Sequence, residues 1–153
     1  RASCTIVGGL AARVTKVSFY ILAEESLEAR ARFAVKFVRQ SFRKGLDVHC
    51  HVASASEAEA LDQLLWDDEE SFIPHEVEQD DSPKAPVGIG WQNPTDRHGV
   101  LVNLGGELPP WFSHFDHLVE IVVQEPKVLD TTRNTWKQLK FDGYPITQHD
   151  LRK

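Results

Sequence analysis

Residues 15–52, TKVSFYILAEESLEARARFAVKFVRQSFRKGLDVHCHV, carry the pattern that decides the fold. Val17, Phe19 and Ile21 alternate, which predicts a strand over Thr15–Leu22 with one buried face. The period then changes. Leu27, Ala31, Ala34, Val38 and Phe42 recur at helical spacing, with Ser26 as N-cap, Lys44 near the end and Gly45 at the C-cap position. A second short strand follows over Asp47–Val52.

The same alternation continues outward. Ser56-x-x-Glu59 reads as a capping box opening a helix that carries Ala60, Leu61, Leu64 and Leu65. Pro86–Trp91 and Gly99–Leu104 are apolar enough for interior strands, and Leu118–Val123 is another. Pro109-Pro110 opens a helical turn running through Phe115. A final helix spans about Pro126 to Asp142, with Pro126 in its first turn and Gly143 just past its end. Strands alternating with helices predict a single three-layer α/β/α domain with a largely parallel or mixed central sheet. No internal repeat or low-complexity segment interrupts it.

The chain has 153 residues, 41% hydrophobic and 26% charged, which fits one ordinary globular domain. Cys4 and Cys50 match neither a disulfide framework nor a zinc motif, and no apolar run reaches the roughly 20 residues of a membrane span. Without a signal-peptide pattern at the start, a cytoplasmic location is expected. The net charge of −6 argues against a protein that grips a phosphate backbone. That charge is uneven. Residues 67–81 hold eight acids and no Lys or Arg, whereas from Lys127 onward six cations face three acids, a local +3.

Candidate catalytic chemistry is sparse. Gly105-Gly106 lies between a strand and a helical turn, where backbone amides could hold an anion, so a nucleotide-dependent enzyme of doubly wound type is one reading. Neither a Walker Lys-Ser/Thr sequence nor a G-x-S-x-G elbow is present. His49-x-His51 and His114-x-x-His117 could each offer two metal ligands, but no third stands at a motif spacing. No cofactor or metal is expected.

The last helix offers more. Arg133, Lys137 and Lys140 stack along one face at i, i+4 and i+7, and Trp136 adjoins them. Cations beside a large aromatic suit an acidic peptide with an apolar end, since the cations take carboxylates and the ring walls a pocket. Direct nucleic-acid binding through this helix is a third reading. Trp66 and Phe72-Ile73-Pro74 flank the acidic run and form a second candidate interface.

Over about residues 14–151 the sequence resembles the chi subunit family of bacterial DNA polymerase III. The resemblance rests on Phe19-Tyr20, Lys44-Gly45, Leu65-Trp66, Ser71-Phe72-Ile73-Pro74-His75 and Leu101-Val102-Asn103-Leu104. It continues through Pro110, Phe112, Phe115, Glu120-Ile121-Val122, Arg133, Trp136-Lys137 and Gly143-Tyr144-Pro145-Ile146, with His149 and Leu151 beyond. It implies a non-catalytic replication subunit that joins psi in the clamp loader. The family also binds the acidic C-terminal tail of single-stranded-DNA-binding protein, which ends in a Pro-Phe carboxylate.

Carried over by position, Arg133 and Lys137 would meet tail carboxylates, with Val122 and Trp136 lining the phenylalanine pocket. Trp136 stands where the family commonly has tyrosine, and Lys140 replaces a frequent arginine. Trp66, Phe72 and Pro74 match the surface for psi and for competing helicase-like partners, with an interval between Trp66 and Phe72 one residue short. Neither direct DNA binding nor a membrane is implied. Residues 1–13 fall outside the resemblance and are expected to be upstream or added sequence, with Val14 at the family's initiator position.

Overall fold

The computed structural model describes residues 14–67, 73–77, 85–92 and 97–152. Among these residues, seven strands form one sheet: β1 (Lys16–Ile21), β2 (Val48–His51), β3 (His75–Val77), β4 (Val87–Gly90), β5 (Val100–Asn103), β6 (His117–Val122) and β7 (Ile146–Asp150). Three helices join them, α1 (Leu27–Arg43), α2 (Ala55–Trp66) and α3 (Pro126–Phe141). The spatial order is β3-β4-β2-β5-β6-β1-β7. Each neighbouring pair is parallel, so the sheet is wholly parallel rather than mixed.

Strand alternation divides the core in two. Val48, Cys50, Val102, Val119 and Ile121 point to one face, where Ala34, Val38, Leu61 and Leu65 of α1 and α2 cover them. Val17, Phe19, Leu101, Leu118 and Val122 point to the other, under Leu139 of α3 together with Phe112 and Phe115. Each layer is therefore an amphipathic helix face set on one side of the pleat.

Local signals explain most element ends. Ser26 caps α1 by accepting from Ala29 N at 3.1 Å. Glu125 caps α3 in the same way, accepting from Val128 N at 2.9 Å. Gly143, at φ +85°, turns the chain out of α3 towards β7. The capping box of α2 lies two residues before the expected one. Ser54 accepts from Glu57 N, and Glu57 Oε1 accepts from Ala53 N at 3.1 Å, while Ser56 only meets the Ser54 hydroxyl. Leu27, expected in the buried stripe of α1, is the first residue of that helix and is 53% exposed.

Two polar devices lie inside. Arg97, 3% exposed, donates to Asp47 Oδ1 at 2.8 Å, Glu76 Oε2 at 3.3 Å and the Ala85 and Pro86 carbonyls, tying together the segments that lead into β2 and β4. Gly99 passes so close to the Asp47 carbonyl that a Cβ there would collide with it. On the α3 face, Asn103 Nδ2 donates to Glu120 Oε2 at 2.8 Å, across the β5–β6 register. Burial pushes the Glu120 carboxyl up to about 8, against smaller opposing effects of the Asn103 hydrogen bond and Arg30.

The folded state therefore keeps a proton on Glu120 that the unfolded chain releases. Stability is expected to fall as pH climbs from about 4.5 to about 8. Glu120→Gln retains an acceptor for Asn103 and removes this dependence. Urea unfolding should show the variant more stable than wild type at pH 8, by about 4 kcal/mol at most, with the gap closing below pH 5. Parallel pH profiles for the two proteins would show that Glu120 is ionised in the fold.

Candidate functional site

The β6-β1-β7 edge and α3 enclose a cavity of about 250 Å³. Its floor follows from strand register. Phe19 of β1 lies beside Gln148 of β7, and Ile21 lies beside Val122 of β6, so alternate residues of three strands face α3 together. Leu139 and Thr135 anchor α3 on the sheet, which leaves Leu129, Thr132, Arg133 and Trp136 along the cavity wall. Val122 is buried, Trp136 half-buried and Arg133 exposed at the rim.

Val122, Arg133 and Trp136 thus line one cavity. Lys137 and Lys140 are exposed on the same helix outside its lining. Lys140 Nζ stands 4.9 Å from the centre of the Trp136 ring, a cation–π contact that holds the ammonium beside the cavity. Arg133 pairs with Asp130 at 3.0 Å in an exposed i, i+3 contact of little energetic weight.

The sequence reading did not include Gln148 and Arg152, which β7 adds to the lining. Arg152 donates to both oxygens of Asp150, at 2.9 and 2.7 Å, so its planar head is fixed at the cavity mouth. The missed signal was Asp150-x-Arg152 at the end of a short polar segment.

The second patch lies at the opposite end of the sheet. Trp66 ends α2 at 53% exposure, with its ring 4.6 Å from that of His75 at the start of β3. His75 is fixed by its Nδ1 contact with the Ile73 carbonyl at 2.6 Å and by Asp62 Oδ1 3.1 Å from Nε2. Pro74 is half-buried beside it, and Phe72 lies outside the described residues. Six strand spacings separate β3 from β7, roughly 29 Å.

The Gly105-Gly106 turn has a structural explanation. Asn103 Oδ1 accepts from Gly105 N at 3.1 Å, Gly106 adopts φ +99°, and the next helical element is a three-residue turn at Phe112–His114. His49 and His51 lie beneath Trp111, and burial, reinforced by His49, lowers His51 to about 4. Among the described residues, no group of three His, Cys, Asp or Glu is placed to hold a metal. No described helix is long and apolar enough to cross a membrane.

The family model described as DNA polymerase III chi subunit, HolC, matches residues 14–147. The chain belongs to the DNA polymerase III chi subunit family. It is 32% identical to the chi subunit of Pseudomonas aeruginosa over 140 residues, covering 90% of this chain and 98% of that protein. It is 25% identical to the Haemophilus influenzae chi subunit over 137 residues, covering 87% and 95% respectively. Membership places the chain among the accessory subunits of a replicative DNA polymerase.

The Arg152 clamp makes a direct check of the β7 end possible. Hydrogen bonds from the Arg152 side chain and then its backbone lower Asp150 to about 2. Carboxyl NMR titration should place Asp150 well below an ordinary aspartate, and Arg152→Ala should return it to the ordinary range. An ordinary Asp150 in the wild type would mean that Arg152 is not held at the cavity mouth.

Proposed function

We propose that this chi subunit is a non-catalytic bridge in the cytoplasmic replisome. Its α3–β7 cavity would hold the acidic C-terminal tail of single-stranded-DNA-binding protein, while the Trp66 patch engages psi in the clamp loader. The observation that carries the reading is an apolar cavity rimmed by cations. Phe19, Ile21, Val122 and Trp136 can surround a terminal phenylalanine, and Arg133 and Arg152 stand where its carboxylate would end. Lys137 and Lys140 continue the positive stripe along α3 for the acids that precede it.

Burying the phenylalanine side chain contributes roughly 1.5–3 kcal/mol, and each exposed ion pair roughly 0.2–1 kcal/mol. After the cost of ordering a flexible tail, affinity of about micromolar strength follows. The same surface has little use for bare DNA, because the chain carries −6 overall and the α3 stripe is short. In this reading residues 1–13 lie outside the working domain, and helicase-like proteins compete with psi for Trp66, Phe72 and Pro74.

Isothermal titration with an acidic peptide ending in Pro-Phe should give salt-sensitive binding. Lys137→Glu should weaken it about tenfold or more, and Trp136→Ala should cost more than Lys140→Ala. Equal affinity for wild type and Lys137→Glu would remove α3 from the account.

Pull-down of psi should fail for Trp66→Ala and for Phe72→Ala while tail-peptide binding persists in both. Loss of both partners together would indicate misfolding rather than a psi surface.

A further inference from the structure

The direction in which each connection leaves the sheet marks a second crevice. From β2 the chain moves towards β3, whereas from β5 it moves the opposite way to β6, so β2 and β5 flank the point where the strand order reverses. In open parallel sheets the helices diverge at such a point and leave a crevice outside the carboxyl ends of the strands. Two adjoining cavities lie there, of about 370 and 380 Å³, sharing Leu27, Arg30, Glu57 and Leu104.

The two halves differ in chemistry. One is apolar, walled by Ala31, Val52, Ala60, Leu61 and Leu64 between α1 and α2. The other is polar, running over Gly105, Gly106, Glu120, Thr131 and Thr132 towards α3. Arg30 stands at the junction. It is half-buried, and its side chain makes a single hydrogen bond, 3.0 Å to the Leu104 carbonyl, with no carboxylate in ion-pair contact among the described residues. Four of the five N–H donors of the guanidinium therefore have no acceptor among the described residues.

The geometry points to this crevice as a binding site for a small monocarboxylic acid with an apolar body, its carboxylate on Arg30 and its body between α1 and α2. The charges around the polar half set the limit on ligand charge: Arg30 and Lys127 stand with Glu57 and Glu125, which leaves no surplus of cations for a ligand with several negative charges. Glu57 and Glu125 cap α2 and α3 and also line this half of the crevice. They repel a polyphosphate or an acidic peptide more than a single carboxylate. Glu120 adds no charge near neutral pH, because burial keeps it protonated, so its O–H can be donated. As the N-cap of α3, Glu125 also accepts from Val128 N with its own carboxylate, an amide that a nucleotide phosphate would need. This site meets the α3–β7 cavity at Thr132 but is lined otherwise by different residues, and it does not depend on the tail-binding reading.

Octanoate is the probe, with octanamide as its uncharged match and Mg-ATP as the polyanion. Amide NMR titration of the full chain with octanoate should shift Arg30, Leu104, Gly105 and Gly106, with the Trp136, Gln148 and Arg152 amides unchanged. Octanamide should bind at least about tenfold more weakly, and Mg-ATP should shift none of these amides. Arg30→Gln should lose the preference for octanoate over octanamide. Ala60→Trp, at an exposed position, should fill the apolar half and abolish octanoate binding while the acidic Pro-Phe peptide binds as before. Equal binding of octanoate and octanamide, no binding of either, or shifts confined to α3 and β7 would overturn the proposal. Should Arg30→Gln fail to fold, the wild-type comparison and Ala60→Trp decide it alone.

Discussion

All seven strands run the same way, and this constraint governs everything built on the sheet. A parallel neighbour cannot be reached by a hairpin, so the chain must return along the sheet's length after each strand. The return is right-handed, which assigns its face once the direction of travel is known. α1 and α2 carry the chain towards β3 and cover one face. α3 carries it the other way, from β6 past β1 to β7, and covers the opposite face. The cationic stripe of α3 is therefore delivered to the β7 edge, and Trp66 to the β3 edge, by topology rather than by any local attraction.

The strands missed in the sequence show what periodicity can detect. β4 and β5 are buried on both sides and read as short apolar runs, VGIG and VLVN. The edge strands lack that support. β7 is ITQHD, half-exposed, and its place comes from pairing with β1 and from Gly143 aiming the chain back. β3 is only HEV, pinned at its start by the contacts of His75. An edge strand is half solvated, so its composition approaches that of a loop. The same ambiguity displaced the capping box of α2, because Ser54 and Ser56 both precede a glutamate by three residues. Only the backbone at Ser54, extended at φ −157° and ψ 168°, distinguishes them.

The candidate site was legible where one helix supplied it. Arg133, Trp136, Lys137 and Lys140 share a face at fixed spacing, and spacing is visible in sequence. Val122 came from family resemblance, since a valine in a buried strand carries no signal of its own. Gln148 and Arg152 depended on the register of β7, and register is a property of pairing rather than of local sequence. Arg152 shows the limit most clearly. Counted alone it is one more C-terminal cation, but clamped by Asp150 it becomes a fixed donor at a cavity mouth. Arg30 was invisible for the same reason, being an ordinary residue of a helical pattern until the crevice places it between an apolar and a polar half.

Distance decides how the charges act. Screening at physiological salt falls off over about 8 Å, so edges roughly 29 Å apart are electrostatically independent. The net −6 of the whole chain therefore says little about α3, whose exposed face carries Arg133, Lys137 and Lys140 with Asp130 beside Arg133. Nor does the positive stripe help a ligand at Trp66, whose neighbours Asp62 and Asp67 are acidic. Binding at one edge leaves the other unchanged in charge, and rigid strands between them leave it unchanged in shape. The proposed bridge would need its two partners to bind without altering each other's affinity, and candidate surfaces at opposite edges of one parallel sheet fit that need.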